Sequence, residues 1–150
     1  MVILIVEDNA AEAKLTREAL REAGVENEPF VVSDGEAATQ FLRNGAGYEN
    51  APRPNVILLD LNLPRKHGHE VLSEIKCDPT LCRIPVIVIS NSEAIEDIDE
   101  VYQLGGNGYL VKSGDLNEYF ASVKALVDFW MRKARLPDVS KTGAYAGVSP

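Results

Sequence analysis

Four apolar runs in this chain show no alternation with polar residues, and each ends on a side chain able to do chemistry. Val2, Ile3, Leu4, Ile5 and Val6 lead into Glu7 and Asp8; Val56, Ile57, Leu58 and Leu59 lead into Asp60. Val86, Ile87, Val88 and Ile89 lead into Ser90, and Tyr109, Leu110 and Val111 lead into Lys112. A strand that is apolar on both sides must be covered on both faces, as in a parallel sheet flanked by helices. Amphipathic segments separate the runs. The pattern therefore predicts an α/β fold: a doubly wound, five-stranded parallel sheet flanked by five helices. Ligands of such sheets sit just past the carboxyl ends of the strands. Glu7, Asp8, Asp60, Ser90 and Lys112 are thus expected to meet at one edge.

Strands are predicted at 2–6, 28–32, 56–59, 86–89 and 109–111. The first helix is predicted over 10–23, with Asn9 as N-cap, Glu12 three residues on and Gly24 as the stop. The second opens at Asp34 and Gly35 and runs through Phe41 and Leu42. The third covers 70–76, with Val71, Leu72 and Ile75 inward. The fourth, over 93–104, is acidic, carries Ile95, Ile98, Val101 and Tyr102 on one side and stops at Gly105 and Gly106. The last runs over 115–133. Its apolar stripe is Leu116, Tyr119, Phe120, Val123, Leu126, Val127 and Trp130, widened by Phe129 and Met131. Segments 45–54 and 61–67 read as surface loops. Residues 1–134 are expected to form one domain and residues 135–150 a tail, mobile unless a partner orders it. The broad final stripe predicts that a partner covers part of it.

At 150 residues the chain has the size of one ordinary domain. A net charge of −8 argues against nucleic acid as a partner. The one basic cluster, Arg132-Lys133-Ala134-Arg135, suits a helix C-terminus, and no helix-turn-helix segment is present. No apolar run approaches the ~20 residues that span a bilayer, and no leader pattern precedes the first strand. Cys77 and Cys82 lack the His/Cys neighbours of a zinc site. The expectation is a soluble, cytoplasmic protein with reduced thiols and no membrane partner.

Three carboxylates within a few ångströms repel one another unless a cation offsets them. Mg²⁺ does so while keeping several waters, held by one or two carboxylates and by phosphate oxygens. Asp8 and Asp60 read as its direct ligands, Glu7 as acting through water, and the backbone carbonyl of Asn62 as a third protein ligand. Asp60 is the candidate nucleophile, because a carboxylate can take a phosphoryl group as an acyl phosphate. Lys112 and the Ser90 hydroxyl would each bind a phosphoryl oxygen. Taken singly, each feature has a plain reading. An acidic pair caps a helix, an Asp forms a turn, Ser92 caps the helix after it, and a lysine is solvated. Tyr109 reads equally as a packed strand aromatic and as a rotamer switch that follows Ser90. What sets the group apart is its order, one chemical residue at the end of each strand. His67 and His69, on either side of Gly68, are assigned no chemistry.

These residues resemble the receiver domain of two-component response regulators. The carrying motifs are Ile5-Val6-Glu7-Asp8-Asn9, Leu59-Asp60-Leu61-Asn62-Leu63-Pro64, Pro85-Val86-Ile87-Val88-Ile89-Ser90 and Gly108-Tyr109-Leu110-Val111-Lys112. The resemblance implies a flavodoxin-like receiver fold and a phosphoryl group passed to Asp60 from a phosphohistidine on a sensor histidine kinase. It implies Mg²⁺ at Glu7, Asp8, Asp60 and the Asn62 carbonyl, and switch roles for Ser90, Tyr109 and Lys112. Ile75-Lys76-Cys77-Asp78-Pro79, Arg83-Ile84-Pro85, Asp115-Leu116 and Phe129-Trp130 are similar to the stand-alone regulators of phytochrome-type kinases. That narrower resemblance implies a bacteriophytochrome as partner and a homodimer through the last helix and its neighbouring face.

Three positions depart from the family pattern. Ser113 replaces a Pro that favours a cis peptide, His67 replaces a common Asp, and Asn91 replaces a smaller residue at the mouth of the site. Two rivals stand beside the signalling reading. A haloacid-dehalogenase-type phosphatase would need a second Asp as general acid where Asn62 stands. A receiver-like interaction module without phosphotransfer would have no use for the intact acidic set.

Overall fold

A computed structural model describes residues 1–112 and 114–138. Five strands alternate with helices in the order β1 (Ile3–Val6), α1 (Ala10–Glu22), β2 (Phe30–Val32), α2 (Gly35–Leu42), β3 (Val56–Leu59) and α3 (Gly68–Cys77). There follow β4 (Val86–Ser90), α4 (Ile95–Gln103), β5 (Gly108–Val111) and α5 (Leu116–Val127), which passes into a π-helical segment, Asp128–Lys133. All pairings are parallel, in the order β2-β1-β3-β4-β5. This is the predicted doubly wound sheet with five helices.

Three of the four unalternating runs are covered on both faces, while the fourth, β5, lies at the edge of the sheet and is only half-buried. Every residue of β1, β3 and β4 is buried, and successive side chains serve opposite faces. Leu4, Val6, Ile57, Leu59, Val86 and Val88 join a core with Phe41, Val71, Leu72, Ile75 and Val101 from α2, α3 and α4. Ile3, Ile5, Val56, Leu58, Ile87 and Ile89 join the other core, with Leu20 from α1 and Tyr119, Val123 and Val127 from α5.

Helix ends follow their signals. Asn9 Oδ1 accepts from Glu12 N and Asp34 Oδ1 from Ala37 N. Gly24 and Gly105, both at φ +96°, end α1 and α4 with the same paired bonds. In each, the glycine N–H and the next N–H return to the last turn: Gly24 to Arg21 O and Val25 to Leu20 O, Gly105 to Tyr102 O and Gly106 to Val101 O.

Several boundaries differ from expectation. β2 starts at Phe30 rather than at residue 28, directly after Pro29, which has no N–H for the ladder. α3 starts two residues early, because His67 serves as its N-cap. A Cβ on Gly68 would come within 2.5 Å of Leu61 Cα and 2.6 Å of Asp60 O, so this close approach ties the start of α3 to the loop after β3. Of the apolar residues predicted to line α4, Val101 is buried while Ile95 and Tyr102 are 71% and 53% exposed. Leu116, expected on the apolar stripe of the last helix, is the first residue of α5 and is 54% exposed. The α-helical hydrogen bonding of α5 stops at Val127. In the wider turn that follows, Arg132 bonds Asp128 Oδ1 through Nη1 and Ala23 O through Nη2. Leu136, assigned to the tail, packs against the α1–α5 core. The remaining expectations for the tail, from residue 139 onward, and those for Ser113 lie outside the described residues.

Candidate functional site

Strand register assembles the site. Val6 pairs with Leu59, so Glu7 and Asp60 both lie one residue past the ends of adjacent strands. Asp60 N donates to Val6 O at 3.0 Å and Glu7 N to Val32 O at 3.0 Å. On the other side Ser90 pairs with Val111, and Lys112 N donates to Ser90 O at 2.7 Å. Residues far apart in the chain are thereby fixed by backbone hydrogen bonds, before their side chains interact at all.

The carboxylates of Glu7, Asp8 and Asp60 each offer an oxygen within 4.8 Å of the others. Glu7 and Asp60 are buried and Asp8 is exposed. Lys112, its side chain 9% exposed, is the cation of the cluster. Its Nζ lies 2.7 Å from Glu7 Oε1, 3.3 Å from Glu12 Oε2 and 3.7 Å from Asp60 Oδ2. Burial pushes the Glu7 carboxyl up to about 7, reinforced by a hydrogen bond and charge repulsion from Asp60 and only partly offset by Lys112. Burial disfavours the charge on Lys112. The hydrogen bond to Glu7, with the charges of Asp60, Glu7 and Glu12, outweighs it and holds the ammonium above the ordinary lysine range. One ammonium thus faces Glu7, Asp60 and, from α1, Glu12, while Asp8 adds a further negative charge beside Glu7 and Asp60. Three oxygen donors short of positive charge fit a hard divalent cation.

The other predicted residues lie around this cluster. Asn62 N donates to Asp60 Oδ1 at 3.2 Å, which turns the loop back over that carboxylate. Ser90 is buried, and its Oγ accepts from Ser92 N at 3.2 Å. Tyr109 is half-buried against the α2–α4 core, and its OH donates to Ser92 O at 2.9 Å. Tyr109 is therefore both a packed aromatic and a tether on the β4–α4 loop. Ser92 Oγ accepts from Ala94 N and donates to the Asp97 carboxylate, so it braces the turn before α4, but the N-cap position is Ala94 and Ser92 does not cap the helix as expected. His67 and His69 stack at 4.8 Å between ring centroids.

Glu12 is the site residue that sequence reasoning missed. Its spacing from Asn9 reads as a helix cap, and its ion-pair partner stands 100 residues away. Thr16 Oγ1 and Tyr119 OH, 2.8 Å apart and buried, also line the space beside Lys112.

A strand-end acid cluster closed by a single lysine, on a sheet of this order, is the arrangement of a phosphoryl-accepting signalling domain. The chain belongs to the response regulator receiver domain family, whose model matches residues 3–124. Response regulator Rcp1 of Synechocystis sp. is 46% identical over 136 residues, which are 91% of this chain and 92% of that one. The crystal structure of the Mn²⁺-bound form of Rcp1 superposes with a TM-score of 0.86, covering 91% of this chain and 99% of that one. The crystal structure of the phosphorylated cyanobacterial phytochrome response regulator RcpA superposes with a TM-score of 0.87 at 49% identity, covering 91% and 98%. The chain is thus a homologue of phytochrome response regulators, a signalling protein of two-component systems. No helix among its described residues is long and apolar enough to cross a membrane.

Proposed function

We propose that Asp60 accepts a phosphoryl group from a phosphohistidine on a sensor histidine kinase of the phytochrome type. The observation that carries this reading is the buried Asp60 carboxylate, 3.7 Å from the Lys112 ammonium and within 4.8 Å of Glu7 and Asp8. An Asp60 oxygen forms the new P–O bond as the P–N bond to the donor imidazole breaks, and the imidazole keeps the electron pair. Lys112 balances charge on the transferred group, and Ser90, two residues before the Tyr109 tether at Ser92, would bond another of its oxygens. Glu7, Asp8, Asp60 and the Asn62 carbonyl would hold Mg²⁺, which when bound neutralises phosphoryl oxygens. Water attack on the acyl phosphate reverses the modification slowly, so the protein catalyses its own phosphorylation and dephosphorylation. Drawing Ser90 toward the phosphoryl group pulls on Ser92 and so on Tyr109 and α4, a route for the switch. An exposed Cys77 thiol and a half-buried Cys82 suit a reducing cytoplasm.

The test uses a small acyl phosphate as donor with Mg²⁺. Mass spectrometry is expected to find one added phosphoryl group, on the peptide that contains Asp60 and dependent on the cation. Label on another residue, or none, would refute the acceptor assignment.

We also infer a homodimer built on α5 and its neighbouring face. Leu116 and Phe129 are 54% and 56% exposed, and Phe129 sits edge-on to Trp130 at 5.4 Å. Water-exposed apolar surface of this kind favours a covering partner. Light scattering is expected to give twice the chain mass at high concentration, and a monomer throughout would remove this inference.

A further inference from the structure

Asn9 followed by Glu12 has the pattern of a reciprocal cap, in which the Glu12 carboxylate returns to the Asn9 N–H. Half of that cap forms. Glu12 N donates to Asn9 Oδ1 at 3.0 Å, but Asn9 N donates to Glu7 Oε2 at 3.3 Å. The Glu12 carboxylate turns instead to Lys112, 3.3 Å from its Nζ and closer to it than Asp60 is. The space around the amine is uneven. A cavity of about 200 Å³ lined by Glu12, Thr16, Asn91, Lys112 and Tyr119 opens on one side. On the other side a crevice of only about 10 Å³ runs from Lys112 in among the core residues Ile5, Leu58 and Ile89. The ammonium therefore borders open space on the side of Glu12.

We propose that Glu12 is a positioning residue for phosphoryl transfer: its carboxylate draws the Lys112 ammonium off Asp60 until an arriving phosphoryl group outweighs it. The inference rests on the acceptor reading above. Lys112 bonds Glu7 most closely, at 2.7 Å. When Glu7 turns to a cation, Glu12 becomes the nearest anion to the amine. A phosphoryl group brings a charge of about −1.5 to −2 and reverses that preference. Glu12 also places a negative charge beside the path of an anionic donor. Both effects slow transfer, and both act through charge. The Glu12 side chain is 38% exposed, so salt screens them.

The test compares the wild type with Glu12→Gln and Glu12→Asp, using a small acyl phosphate and saturating Mg²⁺, followed by phosphate-affinity electrophoresis. Glu12→Gln is expected to be phosphorylated about 3- to 10-fold faster at low salt, an advantage that shrinks toward unity near ~0.5 M salt. Glu12→Asp restores the carboxylate and is expected to return the rate to the wild-type range. The melting temperature of Glu12→Gln should stay within about 2 °C of the wild type, because the cap bond to Asn9 uses the backbone of Glu12. A Gln variant no faster than the wild type, or one whose gain ignores salt, would overturn the proposal and leave the acceptor reading standing. A wild type that takes no label would overturn both.

Discussion

Replacing Asp60 by Asn is expected to abolish phosphorylation and at the same time make the cation-free protein more stable. The amide keeps the size of the carboxylate but has no nucleophilic oxygen, so labelling by a small acyl phosphate should fall by at least about 1,000-fold. The stability gain follows from Glu7. Its carboxyl is raised from 4.5 to about 7, burial being the main cause and Asp60 the next. A raised carboxyl favours the fold fully below its unfolded pKa, and that contribution is lost as pH climbs through the folded value. Between about pH 4.5 and 7.5 the wild type should therefore lose roughly 2–3 kcal/mol through this group. Without the Asp60 charge Glu7 ionises more easily, and only the burial share of the loss remains. At pH 8 and without divalent cations, Asp60→Asn should gain about 1–2 kcal/mol, or ~4 °C in melting temperature. Mg²⁺ should stabilise the wild type strongly and the variant weakly, since one ligand is gone. Urea unfolding at pH 5.5 and 8, with and without Mg²⁺, measures all of this. A variant less stable than the wild type at pH 8 would mean that the acid cluster is not strained.

The same crowding explains why the site was readable before the fold was known. Glu7, Asp60 and Ser90 end strands that are fully buried, Lys112 follows the half-buried edge strand β5, and in a parallel sheet those ends share one edge. What could not be read depends on partners distant in the chain. Glu12 has the same local pattern whether it caps Asn9 or pairs with Lys112, and only the fold decides. The wider turn after Val127 accompanies the bond from Arg132 to Ala23 O, 109 residues away. On α4 the helical period groups Ile95, Ile98, Val101 and Tyr102, yet α4 lies at the margin of the sheet and Val101 alone is buried. Periodicity shows which side of a helix is apolar, and packing determines how much of that side is covered.

Lys112→Ala is expected to give the largest combined loss, in rate and in stability, with opposite pH behaviour to Asp60→Asn. The wild-type ammonium is buried among Glu7, Asp60 and Glu12. Removing it leaves buried carboxylates without a counter-charge, a defect that costs about 3–5 kcal/mol when no proton can compensate. Glu7 supplies that escape at low pH, because a protonated carboxyl needs no cation. The cost should thus be near 1 kcal/mol at pH 5.5 and grow to about 3 kcal/mol at pH 8, the reverse of the gain seen when Asp60 is neutralised. Phosphorylation should fall about 100-fold or more, since the transferred group loses the cation that balances its charge. Lys112→Arg separates charge from shape. It restores the positive charge and most of the stability, but the larger planar guanidinium cannot reproduce the point contact of the ammonium, so the rate should stay at least about 10-fold low. Urea unfolding at the two pH values and rapid-quench phosphorylation of both variants measure these effects. A Lys112→Ala protein equally stable at both pH values would show that the amine does not balance Glu7, and one phosphorylated at the wild-type rate would remove Lys112 from the transfer step.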